Sequence, residues 1–184
     1  MKRNTRATMP NSIRENNNDV RAFAAAHKLE SALDVGPGEG TYHALLHDLI
    51  PEIDCVEIWP QNVADFSLRN RYHEVWTDDI RHHINSDEMY DYDLIVFGDI
   101  LEHLPVDDAV QVFTEALRRC RWVIVSVPMV HFPQDAIDGN QHEHHEIEDP
   151  QTDLIPLLPS PAYSWVYNIT GTFIYRGAHQ EGEN

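Results

Sequence analysis

The chain has 184 residues, with 13 basic and 31 acidic side chains and a formal net charge of −18. That length fits one domain large enough to bury a real core. The charge excludes a protein that grips nucleic acid or an anionic membrane through a basic face, because only Arg118, Arg119 and Arg121 form a tight cationic cluster.

Residues 1–12 are polar and are expected to form a flexible arm; they carry no apolar run of the signal-peptide kind. Residues 13–27 read as a helix, with Val20, Phe23, Ala24 and His27 on one face. Residues 31–36 form a short apolar run ending in glycine, which predicts a buried strand. Tyr42, Leu45, Leu46 and Leu49 recur at i, i+3, i+4 and i+7, the period of a helix, and Pro51 stops it. A second strand is expected at 53–59, a helix at 61–72 and a third strand at 73–79. A fourth strand is expected at 92–99. Its continuous apolar stretch, Leu94 to Phe97, suits a strand covered on both faces. Val106, Ala109, Val110, Phe113, Ala116, Leu117 and Cys120 mark the clearest helix, with Pro105 near its start. Residues 121–127 read as a fifth strand, closed by Pro128. A His- and Pro-rich stretch follows at 131–161. Two strand-like pieces at 165–169 and 172–175, divided by Gly171, predict a terminal hairpin.

Strands alternating with helices predict a single α/β domain over residues 13–184. Its core is a Rossmann-like, doubly wound, mostly parallel sheet with helices on both faces. No apolar run is long enough to span a membrane. Cys55 and Cys120 fall in apolar segments and are expected to be buried free thiols, as in a reducing compartment, so a cytoplasmic location is expected. Lysine occurs only at Lys2 and Lys28, against eleven arginines. An acid excess of this size repels itself unless salt screens it. A melting temperature that rises from low to molar potassium chloride is expected of a protein built for high ionic strength. A flat profile would mark an ordinary acidic protein.

Ligands of such sheets bind beyond the carboxyl ends of the strands. After the first strand stands Asp34-Val35-Gly36-Pro37-Gly38-Glu39-Gly40, whose glycines allow a tight turn and a close ligand approach. The spacing fails the dinucleotide fingerprint, whose third glycine or alanine would fall at Thr41. Glu39 also repels a diphosphate. After the second strand stands Glu57, about 20 residues beyond the loop, where an acid accepts hydrogen bonds from ribose hydroxyls. Asp79 follows the third strand, placed to accept from an adenine amino group. Asp99 follows the fourth, placed to accept from an ammonium. The ligand so described has a ribose, an adenine and a positive amine, with no required phosphate.

These residues resemble the class I S-adenosylmethionine-dependent methyltransferases. Leu33–Gly40 is similar to the glycine loop of that family, Glu57 to its ribose acid and Asp79-Ile80 to its adenine motif. Tyr92–Leu104, with Leu101-Glu102-His103-Leu104, is similar to its fourth-strand motif. The likeness covers about residues 30–130. It implies a sheet of seven strands with the last antiparallel. It implies S-adenosylmethionine as cofactor and S-adenosylhomocysteine as product. It implies further that Asp34 orders the methionine end, that Gly36, Gly38 and Gly40 form the cofactor loop, and that Ile58 packs near the adenine.

A narrower likeness follows the fifth strand. Gly139-Asn140-Gln141-His142-Glu143-His144-His145 is similar to a G-N-x-x-E-x-H pattern in small bacterial and phage-type methyltransferases. The tryptophan that usually follows is replaced by Glu146–Pro150. Methyl transfer from a sulfonium is an in-line displacement that needs positioning and, for a hydroxyl or amine acceptor, a base. His131 and His145, flanking the loop, are the preferred catalytic pair, and Glu143 is the third candidate; His103, His142 and His144 are further histidines in reach. The histidine spacing is not that of a helical zinc site, and no metal is assigned. Segment 128–161 is the expected acceptor side. The acceptor is expected to be a small molecule or glycan, with a protein acceptor open and nucleic acid disfavoured; oligomeric state is not read from sequence. The rival readings are a non-catalytic S-adenosylmethionine-binding regulator, a nicotinamide-dependent dehydrogenase and a His-rich metal-binding protein.

Overall fold

A computed structural model describes residues 16–137 and 139–178. The expected arm at 1–12 and the first positions of the expected first helix lie outside these residues. Seven strands form one sheet: β1 (Ser31–Val35), β2 (Glu52–Val56), β3 (Val75–Trp76), β4 (Tyr92–Gly98), β5 (Cys120–Pro128), β6 (Tyr163–Val166) and β7 (Thr170–Arg176). Their order is β3-β2-β1-β4-β5-β7-β6. β1 pairs in parallel with β2 and β4, β2 with β3, and β4 with β5. β7 runs antiparallel between β5 and β6. The last strand is therefore antiparallel, as the family likeness implies.

The helices are α1 (Asn17–His27), α2 (Thr41–Leu46), α3 (Pro60–Asp65), α4 (Ile80–His83), α5 (Val106–Arg119) and α6 (Pro150–Asp153). Side chains alternate between the sheet faces, so each central strand feeds two cores. Leu33, Val35, Ile95, Phe97, Val123 and Val125 pack with Ala109, Val112, Phe113 and Ala116 of α5. Ala32, Leu94, Val96 and Ile124 pack on the other face with Val20 and Phe23 of α1 and Leu46 of α2. The apolar stripe of α5 follows the helical period, and its ends are charged to suit the helix dipole. Asp107 and Asp108 sit in the first turn, Arg118 and Arg119 in the last.

Three expectations need correction. The helix expected at 61–72 is broken: α3 ends at Asp65, and Ser67 takes a left-handed φ of 52° before a short 3₁₀ turn at Leu68–Asn70. The strand expected at 73–79 shortens to two residues, because Asp79 instead caps α4 by accepting from the Arg81 N–H. The hairpin turn lies at 167–169, closed by the Tyr167 N–H donating to the Thr170 carbonyl at 3.0 Å. Gly171 is thus inside β7 rather than in the turn. A Cβ there would stand 2.7 Å from the Met129 sulfur. Among the described residues no helix is long and apolar enough to cross a membrane.

Candidate active site

Ladder bonds beyond the strand ends hold three loop positions in one plane. Gly36 N–H donates to the Val56 carbonyl, Glu57 N–H to Trp76, and Asp99 N–H to Ser126, each at 2.9 Å. Gly36, Gly38 and Gly40 all take positive φ, at 58°, 50° and 79°. Only glycine takes such angles without cost. Asp99 takes φ 57° without being glycine, the kind of backbone strain that collects at functional sites.

The loop is braced from behind. The Arg71 guanidinium donates to the carbonyls of Glu39 at 2.6 Å and Gly40 at 3.1 Å. Asp34 is buried beneath it and accepts from the Tyr72 hydroxyl at 2.6 Å. Burial carries the Asp34 carboxyl up to about 7, against the opposing pull of Tyr72, the His43 N–H and Arg71. Neither Asp34 nor Gly40 is on the walls of the cavities described below; Asp34 is held by Tyr72 and Gly40 by Arg71. Neither Arg71 nor Tyr72 carries a motif, and only the fold brings them under the loop.

Tyr72→Phe removes the hydroxyl that most favours the charged form of Asp34. The folded carboxyl already sits above its ordinary 3.8. The folded state therefore holds a proton that the unfolded chain releases, and stability falls as pH rises between these values. The variant should lose about 1–3 kcal/mol, and more at pH 8.5 than at pH 5.5. Urea unfolding at both values checks this. Equal losses would show that the charge of Asp34 does not change between the two values.

In front of the loop lie two cavities, of about 240 Å³ and 340 Å³, whose walls share Gly36, Ile58, Ile100, His103 and His142. They are two lobes of one cleft at the carboxyl ends of β1, β2 and β4. The smaller lobe is lined by Val56, Ile58, Asp78, Asp79, Ile80 and Arg81. It holds the expected adenine residues together. Arg81, which the sequence did not single out, binds the Asp79 carboxylate through Nε and Nη2 and reaches Asp108 at 2.9 Å. It holds the Asp79 carboxyl below the usual range, against the effect of burial.

The larger lobe is lined by Gly36, Gly38, Glu57, Asp99, Glu143 and His145, among others. Glu57 is buried, and its carboxylate accepts from the Trp59 N–H at 2.8 Å and Asn62 Nδ2 at 3.4 Å. Burial raises its carboxyl above the ordinary range, and these donors hold the rise in check. Glu143 is raised too, by burial and then by the Glu57 charge.

The catalytic candidates separate. His145 is buried on the wall of the larger lobe, 5% exposed. Its Nδ1 lies 2.7 Å from the Phe132 carbonyl. A carbonyl can only accept, so Nδ1 carries the proton and Nε2 keeps its lone pair. Burial lowers the basicity of His145 and takes His103 down to about 4. His131 is on neither wall. It lies at the surface, 3.8 Å from Glu148, and leaves the catalytic set for that reason. Glu102, which the sequence reading used only as part of a motif, is fully buried on the wall of this lobe.

The family model "Methyltransferase domain" matches residues 33–121, from the glycine loop to the start of β5. No curated protein matches the chain at a significant level. Solved structures do. The PH0226 protein from Pyrococcus horikoshii OT3 superposes with a TM-score of 0.67 at 16% identity, covering 89% of each chain. The N-methyltransferase NodS from Bradyrhizobium japonicum WM9, in complex with S-adenosylhomocysteine, gives 0.63 at 13%, covering 90% of this chain and 87% of NodS. The 1,6-didemethyltoxoflavin-N1-methyltransferase from Burkholderia thailandensis gives 0.61 at 16%, covering 90% and 79%. The chain thus carries the seven-stranded fold of these solved structures, and its residues 33–121, which include the glycine loop at the end of β1, match the methyltransferase domain family.

Proposed function

We propose that the chain methylates a hydroxyl or amine of a small-molecule or glycan-like acceptor bound in the larger lobe. One observation carries the reading: Glu57 is buried at the end of β2 and lines the same lobe as Gly36 and Gly38 of the loop. In that place its two oxygens suit the ribose hydroxyls of S-adenosylmethionine. Asp99 and Glu143 add negative charge to the same lobe. A sulfonium and an ammonium are attracted there, and the diphosphate of a nicotinamide dinucleotide is repelled. The adenine would enter the smaller lobe between Ile58 and Ile80, beside Asp78 and Asp79.

The acceptor side is built by segment 128–161. Phe132, Gln134, Asn140, Glu143 and His145 face the larger lobe from it. His145 and Glu143 are the groups placed to take the acceptor's proton. Size supports a small acceptor: a lobe of about 340 Å³ must also hold the methionine end of the cofactor. Neighbours of this fold include the toxoflavin N1-methyltransferase and an amino pentose methyltransferase, both with small-molecule substrates by name.

Calorimetric titration with S-adenosylmethionine and S-adenosylhomocysteine, at low and high salt, tests the proposal. Micromolar binding of both is expected. Glu57→Ala should weaken it by about 1–3 kcal/mol, the cost of losing a buried polar partner. No binding in either salt would overturn the reading, and unchanged affinity in the variant would remove Glu57 from it.

A further inference from the structure

One carboxylate on the wall of the larger lobe stands out. Glu102 is fully buried, and neither of its carboxylate oxygens has a hydrogen-bond partner among the described residues. A buried carboxylate left unpaired is costly. Beside it stand His103 and His145, with ring centroids 4.6 Å apart. One ligand atom from each of the three residues falls within 4.8 Å of the others.

The two imidazoles are also oriented. His103 Nδ1 lies 3.1 Å from the His144 carbonyl, and His145 Nδ1 lies 2.7 Å from the Phe132 carbonyl. With Nδ1 donating to a carbonyl, each ring keeps its lone pair on Nε2. A backbone carbonyl on the far nitrogen is the usual outer partner of a metal-bound histidine. The segment carrying His145 is tied to the same place, because the Ile147 N–H donates to the Glu102 carbonyl at 3.0 Å.

We propose that Glu102, His103 and His145 bind one divalent first-row transition-metal ion at the floor of the acceptor lobe. The inference rests on the methyltransferase reading above for its function, though not for its geometry. Two imidazoles with one carboxylate favour zinc, iron(II), manganese or cobalt over magnesium or calcium, which prefer oxygen alone. Bonds of ~2.0–2.2 Å place tetrahedral ligands ~3.4 Å apart, inside the 4.8 Å within which the three atoms already lie. Three protein ligands leave positions open, and Glu102, His103 and His145 all line the lobe in which the acceptor is placed. The ion would take an acceptor oxygen or nitrogen as a further ligand and lower its pKa.

This assigns the roles within the lobe. With the metal loaded, His145 would be a ligand, and Glu143 would take the proton from an acceptor hydroxyl held at the ion. The freed lone pair attacks the sulfonium methyl carbon. The new bond to carbon forms as the carbon–sulfur bond breaks, and its electron pair stays on the sulfur of S-adenosylhomocysteine. No oxidant or reductant is needed.

The test uses untagged full-length protein, stripped with chelator and titrated with Co²⁺ and Zn²⁺ by calorimetry. Visible absorption follows cobalt. One equivalent per chain is expected, with d–d bands of nitrogen and oxygen ligation. Glu102→Gln and His145→Asn should each weaken binding at least tenfold, while His47→Ala and His82→Ala, at histidines outside the lobe, should leave it unchanged. Glu102→Gln is nearly isosteric, and its melting curve reports whether it folds. Absence of stoichiometric binding would overturn the proposal. So would binding that survives Glu102→Gln but falls with the two surface variants, which would mark adventitious chelation. S-adenosylhomocysteine titration of the same samples separates the two readings. Cofactor binding without metal binding sinks the metal site alone, and loss of cofactor binding in the wild type sinks the methyltransferase reading.

Discussion

Gly36→Val should weaken S-adenosylhomocysteine binding by about 100-fold or more, close to 3 kcal/mol, with the far-ultraviolet circular dichroism unchanged. Two costs fall on the same atom. Gly36 has φ 58°, where a β-branched residue is a severe outlier. An added Cβ would also stand 2.3 Å from Ile100 Cδ1. Ile100 can move, but it and Gly36 both line both lobes of the cleft. Either response, a shifted loop or a displaced isoleucine, narrows the space against which the cofactor must lie. The sheet itself should survive, because the neighbouring Val35 remains paired with Val56 and Phe97. Titration of the variant checks this. Retained affinity would place the cofactor away from the glycine loop.

Phe113→Ala should cost about 3–5 kcal/mol of stability, the usual range for a fully buried phenylalanine. Its side chain is 1% exposed on the inner face of α5. Its ring meets Tyr175 edge to face, with centroids 4.8 Å apart at 77°. That contact joins the longest helix to the antiparallel strand β7, so the cavity left behind spans two elements and closes poorly. Phe113 is on neither cavity wall. S-adenosylhomocysteine affinity, measured well below the melting transition, should therefore stay within about twofold of wild type, a shift under 0.5 kcal/mol. Denaturant unfolding gives the stability change. A loss under about 1 kcal/mol would show that the neighbours refill the site.

Much of this fold could be read before any coordinates, and the reason is periodicity. The α5 stripe and the apolar run of β4 are long and have a single explanation each. That Gly36, Gly38, Glu57, Asp79 and Asp99 would line one cleft was legible because each follows a strand end. Short elements escaped. β3 has two residues, too few for a pattern, and Ser67 breaks α3 with no warning from a glycine or proline. The segment after β5 was legible only in part. His131 and His145 look alike in sequence, and the path of the loop alone decides that one faces solvent and the other the lobe. Arg71, Tyr72 and Glu102 act across 31 to 43 positions of chain, on Gly40, Asp34 and His145 in turn. No local spacing encodes such pairs.

Both cysteines are wholly buried, and they belong to the cores on opposite faces of the sheet. Burial pushes both thiols up, Cys120 to about 12, so neither offers a thiolate at neutral pH. The native protein is consequently silent toward maleimides and alkylating reagents. A single surface cysteine, placed for instance at Gln141 on the rim of the smaller lobe, would be the sole reactive thiol in the chain. A fluorophore attached there would report ligand entry without removal of either native cysteine.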